Sequence, residues 1–462
     1  MRIAVIGAGV AGLSAAWLLS RRHDITVYER ESRLGGHSNT IDARFGASRV
    51  PVDTGFIVFN RNNYPNLVAL LAHLGVACQA SSMSFAASLD DGAFEYGSGN
   101  FSFFAQPANL ADRRYHAFLG DIFRFNRLAP RWNGAAATTL GEFLAANNFG
   151  AYFTDRFLLP LAASIWSSST GDIGHFPFAR LVDFFKSHRL FNVWRQQKWR
   201  TVRGGARAYV EKLAAPLDQR ARLALSATCI RRETSGISIR DSHGQWDRFD
   251  HAILATHADQ ALGLLERPSV AERAALGAFR YSAQDTYLHS DRSLMPKRRA
   301  VWSSWNFVAP RHEPTTPVSV TYWLNRLQNI PRRFPLFVSN NPHKLPAQEL
   351  IHASMRYEHP VYDRAAFDAQ QQLSHIQGTD RIWFCGSYFG FGFHEDALAA
   401  GLDVAEQFGV RRPWGSPAPR RAKNAAHPVG AIVGPIGLPA PVAAMVPKSG
   451  AAIGRMVLRQ EE

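Results

Sequence analysis

The chain opens on an apolar run, Ile3-Ala4-Val5-Ile6, followed by Gly7-Ala8-Gly9-Val10-Ala11-Gly12 and an Ala/Leu-rich stretch to Arg21. The run predicts a strand buried on both faces, and Leu13 to Ser20 predicts a packed helix. A polar break at Arg22-His23-Asp24 leads to a second apolar run, Ile25-Thr26-Val27-Tyr28, which ends on Glu29. Leu67, Leu70, Leu71 and Leu74 then recur at helical spacing, predicting a helix from Tyr64 to Gly75 with the glycine at its C-terminal cap. Ser84 to Leu89 and Ala93 to Tyr96, separated by Asp90-Asp91-Gly92, predict a hairpin.

From Arg113 to Trp199 the pattern is helical and rich in aromatic residues: Phe118, Phe123, Phe125, Trp132, Phe149, Tyr152, Phe153, Phe157, Trp166, Phe184, Phe185, Phe191 and Trp194. Arg113, Arg114, Arg124, Arg127 and Arg131 alternate with them. Two compatible readings follow. One is a packed helical cap with a charged outer face; the other is an apolar tunnel whose mouth presents arginines to phospholipid headgroups. Beyond Trp199 a helix is predicted from Ala206 to Ala214, then strands at Leu223 to Ile230, Gly236 to Ile239 and Phe249 to Thr256. Val301 to Phe307 and Val318 to Leu324 predict strands of an aromatic-rich sheet. Arg381 to Gly386 predicts a last strand, and a glycine- and phenylalanine-rich loop then enters a helix from His394 to Gly401.

Length changes the picture little: 462 residues allow two domains with sizeable cores. The three cysteines, Cys78, Cys229 and Cys385, have no close spacing, which argues against a disulfide framework and fits a reducing cytoplasm. The seventeen histidines include no pair at i,i+3 or i,i+4, so no helical metal site is expected. Met1-Arg2 runs directly into the first strand, leaving no room for a signal peptide. The formal net charge of +15 changes more. It points to an anionic partner, and no nucleic-acid module accompanies it, so an anionic membrane surface and a merely solvated basic exterior are the two readings. From Arg411 the composition is that of a Pro/Ala/Gly-rich linker and a disordered tail; Pro435, Pro439 and Pro441 exclude a stable transmembrane helix there.

The glycines give the first chemistry. Gly7 makes a tight turn, Gly9 lets backbone approach a pyrophosphate, and Gly12 lets helix and strand pack closely. The helix start offers free N–H groups and a positive dipole end to phosphate, and Glu29 is placed to accept from a ribose 2′-hydroxyl. Strand, helix, second strand and acid fall in one register, which marks a dinucleotide site.

Leu34-Gly35-Gly36-His37 and Val52-Asp53-Thr54-Gly55 follow. With them the chain resembles the flavin-containing amine oxidase family, which includes phytoene desaturase-like and protoporphyrinogen oxidase-like enzymes. The resemblance covers nearly all of residues 1 to 410 and implies noncovalent FAD. It also implies an α/β fold: a Rossmann-like FAD-binding domain in three segments, with an inserted α+β substrate domain of mixed sheet and helical cap. The expected segments are FAD-binding at 1–60, 200–280 and 375–410, substrate or cap at 61–199 and 281–374, and the tail at 411–462. The cofactor contacts implied are Gly7, Gly9, Val10, Ala11, Gly12, Glu29, Arg30, Gly35, Gly36, His37, Ser38, Thr54, Gly55, Ala227 (beside the adenine through its backbone), Gly386, Ser387, Phe393, His394, Glu395 and Ala397. In the family the final helix points its N-terminus at the flavin C2 carbonyl, where its dipole stabilises the anionic reduced ring. His37 stands where arginine is usual.

Three departures set the chain apart from amine oxidases. Tyr281 to His289 lacks the family's lysine, and Lys297 follows Pro296 in a turn. Phe393 stands where an aromatic-cage tyrosine is common, and no cysteine follows Gly386 for covalent flavin attachment. Tyr388, Phe389, Phe391 and Phe393 are therefore the candidate substrate contacts; no residue is assigned as catalytic acid or base, and no metal is expected. A bacterial subgroup described only as predicted NAD/FAD-binding proteins, associated with cyclopropane-fatty-acid-synthase-like methyltransferases, is also similar. These features imply an FAD-dependent dehydrogenase or desaturase of an unsaturated or methyl-branched fatty acyl phospholipid, by hydride transfer to flavin N5. Oxygen or a quinone would take the electrons, because no second dinucleotide motif exists for a nicotinamide. An oxygen-using amine oxidase and a flavin-binding electron-transfer or scaffold subunit of a lipid-modifying complex remain the alternatives. The cytoplasm, including the inner membrane face, is the expected location.

Overall fold

The computed structural model describes residues 1–98, 100–191, 197–309 and 318–415. Trp194 and the tail beyond residue 415 lie outside the described residues.

A parallel sheet forms the base of the fold, in the order Ala221–Arg222, Asp24–Tyr28, Arg2–Ile6, His251–Leu254, Ile382–Phe384. Its central strand is buried on both faces, which is why Ile3 to Ile6 reads as a continuous apolar run. Ile6 pairs in register with both Tyr28 and Leu254, so the loops after three strands emerge along one edge. The helices Val10–Leu19 and His394–Glu406 pack tightly together: a Cβ on Gly401 would lie 2.1 Å from the Ala11 carbonyl oxygen.

Above this base stands a seven-stranded mixed sheet, in the order Ile351–Val361, Arg280–His289, Phe337–Asn340, Val320–Trp323, Trp305–Ala309, Phe85–Leu89, Phe94–Gly97. The last two strands are the expected hairpin. The helices Arg113–Leu128, Leu140–Ala146, Leu159–Trp166 and Phe178–Ser187 form the cap, and most of the aromatic residues bury themselves among these helices. Helix Pro65–His73 ends as predicted, with Gly75 in the left-handed region at φ +61° and the Val76 N–H donating to the Leu71 carbonyl.

Three sequence expectations need correction. Leu223 to Ile230 is not one strand: the Ala224 and Leu225 N–H groups donate to the carbonyls of Glu31 and Glu29, and Ala224 takes a φ of +53°. Ala221–Arg222 therefore edges the parallel sheet, and a separate antiparallel strand begins at Ala227. The strand expected from Val301 begins at Trp305 instead, because Arg299–Val301 is a 3₁₀ turn and the Ser303 N–H donates to the Asn306 side chain. The tail does not begin at Arg411. The Arg412 side chain is buried, bonded to Glu406 and to Asn66 Oδ1, and the Trp414 ring stacks on Trp17.

Candidate active site

At the edge where the parallel strands end, two glycine loops meet. The Gly7 N–H donates to the Tyr28 carbonyl and its φ is +98°; a Cβ there would lie 2.8 Å from the Ala255 carbonyl oxygen. A Cβ on Gly12 would lie 1.9 Å from the Gly7 carbonyl oxygen, so close packing of helix on strand requires glycine. Around Gly9 a Cβ would meet nothing within 4 Å, leaving open space beside the helix N-terminus. The second loop lies against the first: the Gly35 N–H donates to the Ala8 carbonyl at 2.8 Å, and a Cβ on Gly36 would come within 3.0 Å of Gly9 Cα. Glu29 is buried and ties the first loop down. Its Oε2 accepts from the Ala8 N–H at 2.7 Å and its Oε1 from the Glu31 N–H at 2.9 Å.

One cavity of about 1850 Å³ starts here and continues beneath the cap. Ligand pockets usually span roughly 300–1,000 Å³, so this volume accommodates two occupants in sequence. Gly7, Gly9, Val10, Ala11, Glu29, Arg30, Gly35, Gly36, His37, Ser38, Thr54, Gly55, Ala227, Gly386, Ser387, Phe393, His394 and Ala397 all line it. So do Tyr388 and Phe391. Gly12 stands behind the wall in its packing role.

Two predicted residues stand elsewhere. The Glu395 carboxylate turns away from the cavity and accepts from the Asn66 and Leu67 N–H groups and from Asn66 Nδ2, capping the helix that starts at Pro65. Phe389 is not on the cavity wall; it packs behind Tyr388, with ring centroids 4.9 Å apart. The three-residue turn Ser387–Phe389 directs it into the protein interior.

The loop before the final helix is fixed from below. Asp396 Oδ2 accepts from the N–H groups of Phe391 and Phe393, both at 3.0 Å, and Gly392 takes a φ of +89°. Phe393 and Phe391 are thereby presented to the cap, where Phe184 stacks on Phe393 and meets Phe391 edge-on. Trp166 and His188 pack against Phe184 in turn. Beyond these rings the wall is mainly apolar, through Phe185, Ile165, Leu161, Phe157, Phe125, Ile122 and Leu119, with Ser164 and Asn126 set among them.

The structure also assembles residues that no local spacing announces. Strand Ile351–Val361 brings Tyr357 and His359 to the wall beside His37, with ring centroids 4.9 and 5.5 Å from it; His257 follows at 6.3 Å. Tyr357 OH accepts from Asn39 Nδ2 and shares a hydrogen bond with the Thr54 hydroxyl. Phe56 stacks on His394 at 3.8 Å, and His394 Nε2 is hydrogen-bonded to Tyr209 OH, which contacts Ser38 Oγ. Burial pushes all four imidazoles down, His37 and His257 to about 4 and His359 and His394 to about 3. His257 Nδ1 lies 3.3 Å from Glu358 Oε2, but a neutral imidazole makes this no ion pair near neutral pH. Among the described residues, His37 Nε2, His359 Nδ1 and Tyr388 OH are buried without a hydrogen-bond partner on the wall of the cavity. Unpaired buried polar atoms are costly, so these are sites for the polar groups of a bound molecule.

A sequence model of flavin containing amine oxidoreductases matches residues 10–408. The chain belongs to that family. It is an FAD-dependent oxidoreductase. Solved structures similar to this flavoenzyme include the CLA-producing fatty acid isomerase from P. acnes (18% identity, 88% of this chain and 99% of that one, TM-score 0.60). Cyclohexylamine oxidase from Brevibacterium oxydans IH-35A is also similar (15% identity, 88% and 99% coverage, TM-score 0.60). So is putrescine oxidase bound to putrescine (15% identity, 88% and 99% coverage, TM-score 0.60). At these identities the likeness concerns the fold. The open space at Gly9, the two touching glycine loops and the unpaired imidazole nitrogens on the cavity wall fit a dinucleotide with a polar ring system. Among the described residues no helix is long and apolar enough to cross a membrane.

Proposed function

We propose that this flavoenzyme is a dehydrogenase or desaturase of an unsaturated or methyl-branched fatty acyl chain carried on a phospholipid. The observation that carries the reading is the aromatic and aliphatic wall running from Phe393 through Phe184 to Leu119. Such a wall offers shape and dryness to a hydrocarbon; to an ammonium group it offers ring faces, but among the described residues no carboxylate to pair with its charge. The carboxylates among the described lining residues, Glu29, Glu31, Asp42 and Glu358, do not sit on it: Glu29 holds the glycine loop, Glu31 lies 3.7 Å from the Arg30 guanidinium, Asp42 pairs with Arg207, and Glu358 adjoins His257. A fold neighbour that is a fatty acid isomerase is in keeping with an acyl substrate.

In this reading the segments 1–60, 200–280 and 375–410 form the cofactor domain, and 61–199 with 281–374 the substrate domain. Gly7 to Gly12 and the following helix would hold the pyrophosphate, Glu29 the ribose, and the Ala227 backbone the adenine. Gly35 to Ser38, Thr54, Gly55, Gly386, Ser387 and the start of the final helix at His394 would hold the remainder. Bound FAD supplies a two-electron oxidation, taking a hydride at N5 and giving the electron pair to oxygen or a quinone. The chain's own contribution is position and exclusion of water. Phe391, Phe393 and Phe184 confine the carbon chain, so that a carbon beside a double bond, the most readily oxidised position, faces the ring. With the hydride, a proton leaves the adjoining carbon, so the product carries one more carbon–carbon double bond and both hydrogens end on the reduced acceptor. An anionic membrane surface, matched to the net charge of +15, would supply the phospholipid.

Anaerobic mixing of oxidised enzyme with unsaturated phospholipids, and separately with primary and secondary amines, tests the proposal. Bleaching of the flavin by lipids is the expected outcome. Bleaching by amines alone would sink it and establish an amine oxidase.

A further inference from the structure

We propose that the rim of the cavity at Phe104, Phe123 and Leu190 inserts into an anionic phospholipid bilayer, so that an acyl chain passes from membrane to cavity without crossing water. This deepens the acyl-chain reading, on which its purpose rests.

Each of the three residues lines the cavity and is also open to solvent: Phe104 is 46% exposed, Phe123 70% and Leu190 39%. A side chain that does both stands at an opening. One helix relates them. Along Arg113–Leu128, residues Leu119, Ile122, Phe123 and Asn126 fall at helical spacing and all line the cavity. The interior stripe therefore continues outward onto Phe123 rather than ending at the surface. Phe104 closes a 3₁₀ turn that Tyr115 of this helix holds, its hydroxyl donating to the Phe103 carbonyl. Leu190 precedes Phe191, whose ring lies 5.9 Å from Phe125 of the same helix. Exposed large apolar residues grouped at an opening mark an interaction surface, whereas scattered ones need no explanation.

Charge identifies the partner. Arg127 lies four residues beyond Phe123, Arg189 adjoins Leu190 on the cavity wall, and Lys186 is in the last turn of the helix leading there. All three are exposed, and none has a carboxylate partner among the described residues. By contrast, Arg114 and Arg124 on the same helix are taken up by Asp112 and Asp121. The nearby acid Asp183 does not line the cavity. Apolar tips that seek hydrocarbon, flanked by unpaired cations, suit a bilayer bearing negative headgroups. No spanning helix is needed for this mode of attachment.

The test is flotation of the FAD-loaded enzyme with vesicles of phosphatidylcholine alone and of phosphatidylcholine mixed with phosphatidylglycerol. Wild type should float with the mixed vesicles. A Phe104→Ser, Phe123→Ser, Leu190→Ser triple variant that retains its FAD and melting temperature should lose binding by about tenfold or more. Arg127→Glu with Arg189→Glu should remove the preference for anionic vesicles. Trp246→Ser, at a 41% exposed tryptophan off the cavity, should bind as wild type does. Equal binding by the triple variant, equal loss in the Trp246 variant, or no flotation of wild type would overturn the proposal. Lipid dispersed in detergent separates the two ideas. Flavin bleached by dispersed lipid without vesicle binding refutes the docking surface alone. Vesicle binding without bleaching refutes the acyl substrate alone.

Discussion

The rings of Phe184 and Phe393 stack with their centroids 5.2 Å apart and their planes 20° from parallel. One belongs to a cap helix and the other to the loop before the final helix, so this contact joins the two halves of the cavity wall. Phe393 is only partly buried, and the Asp396 carboxylate holds its backbone. Phe393→Lys should therefore fold and retain FAD. An ammonium group in the apolar passage would cost several kcal/mol to desolvate, and flavin reduction by lipid should slow by at least about 100-fold. Stopped-flow reduction and the flavin absorbance of the same sample measure both quantities. Undiminished reduction would mean that the substrate does not pass between these rings.

The flavin should come away freely. No cysteine follows Gly386 in the loop to His394, and Cys385 is buried with its thiol pushed up to about 12. A thiol so far from ionising is a poor nucleophile toward the flavin. Acid or heat should release yellow FAD into the supernatant; colour remaining in the precipitate would contradict noncovalent binding.

Glu29 connects the glycine loop to the ribose. Each of its oxygens already accepts one backbone N–H, from Ala8 and from Glu31, and each retains a further lone pair. Glu29→Gln removes the charge and substitutes a donor where an acceptor is needed. FAD affinity should fall by about 1–3 kcal/mol, measured by dilution and flavin fluorescence. Unchanged retention would place the ribose elsewhere.

The parts of this site legible in the sequence are those built from backbone and local spacing. Gly7 and Gly12 report their turn and helix contact because only a missing Cβ satisfies each, and Gly9 keeps the space beside the helix N-terminus open. The strand, glycine loop and helix around Gly386 to His394 are likewise continuous in the chain. What stayed hidden was tertiary convergence. His37, His257 and His359 lie on separate segments and meet only when strand Ile351–Val361 reaches the second glycine loop. The destination of the Glu395 carboxylate is hidden for the same reason: its partner, the start of the helix at Pro65, is 329 residues away. Phe389 shows the converse limit. Its aromatic character predicts burial, but only the turn from Ser387 decides which side of the wall it occupies.

Those histidines give a pH dependence with a definite sign. In the FAD-free chain burial lowers His37 and His257 from 6.5 to about 4, and His359 and His394 to about 3. Below pH 6.5 the unfolded chain takes up protons that the folded chain refuses, so acidification favours unfolding. The stability is present above pH 6.5 and is lost as pH falls toward about 4, at up to about 1.4 kcal/mol per pH unit for each imidazole. Asp53 works the other way. Burial raises it from 3.8 to about 7, so the folded state gains its proton first and acid favours folding there. Burial also lowers His289 to about 4, and His251 and His352 in the same direction, so the imidazoles outweigh Asp53 and the combined effect between pH 6.5 and 4 is destabilisation. His359→Asn keeps a polar side chain and removes one titration, so its stability should fall less steeply with acid than that of wild type. Denaturant unfolding of both FAD-free proteins across this range measures the slopes. Equal slopes would show that His359 is protonated in the folded protein and that its burial does not hold it neutral.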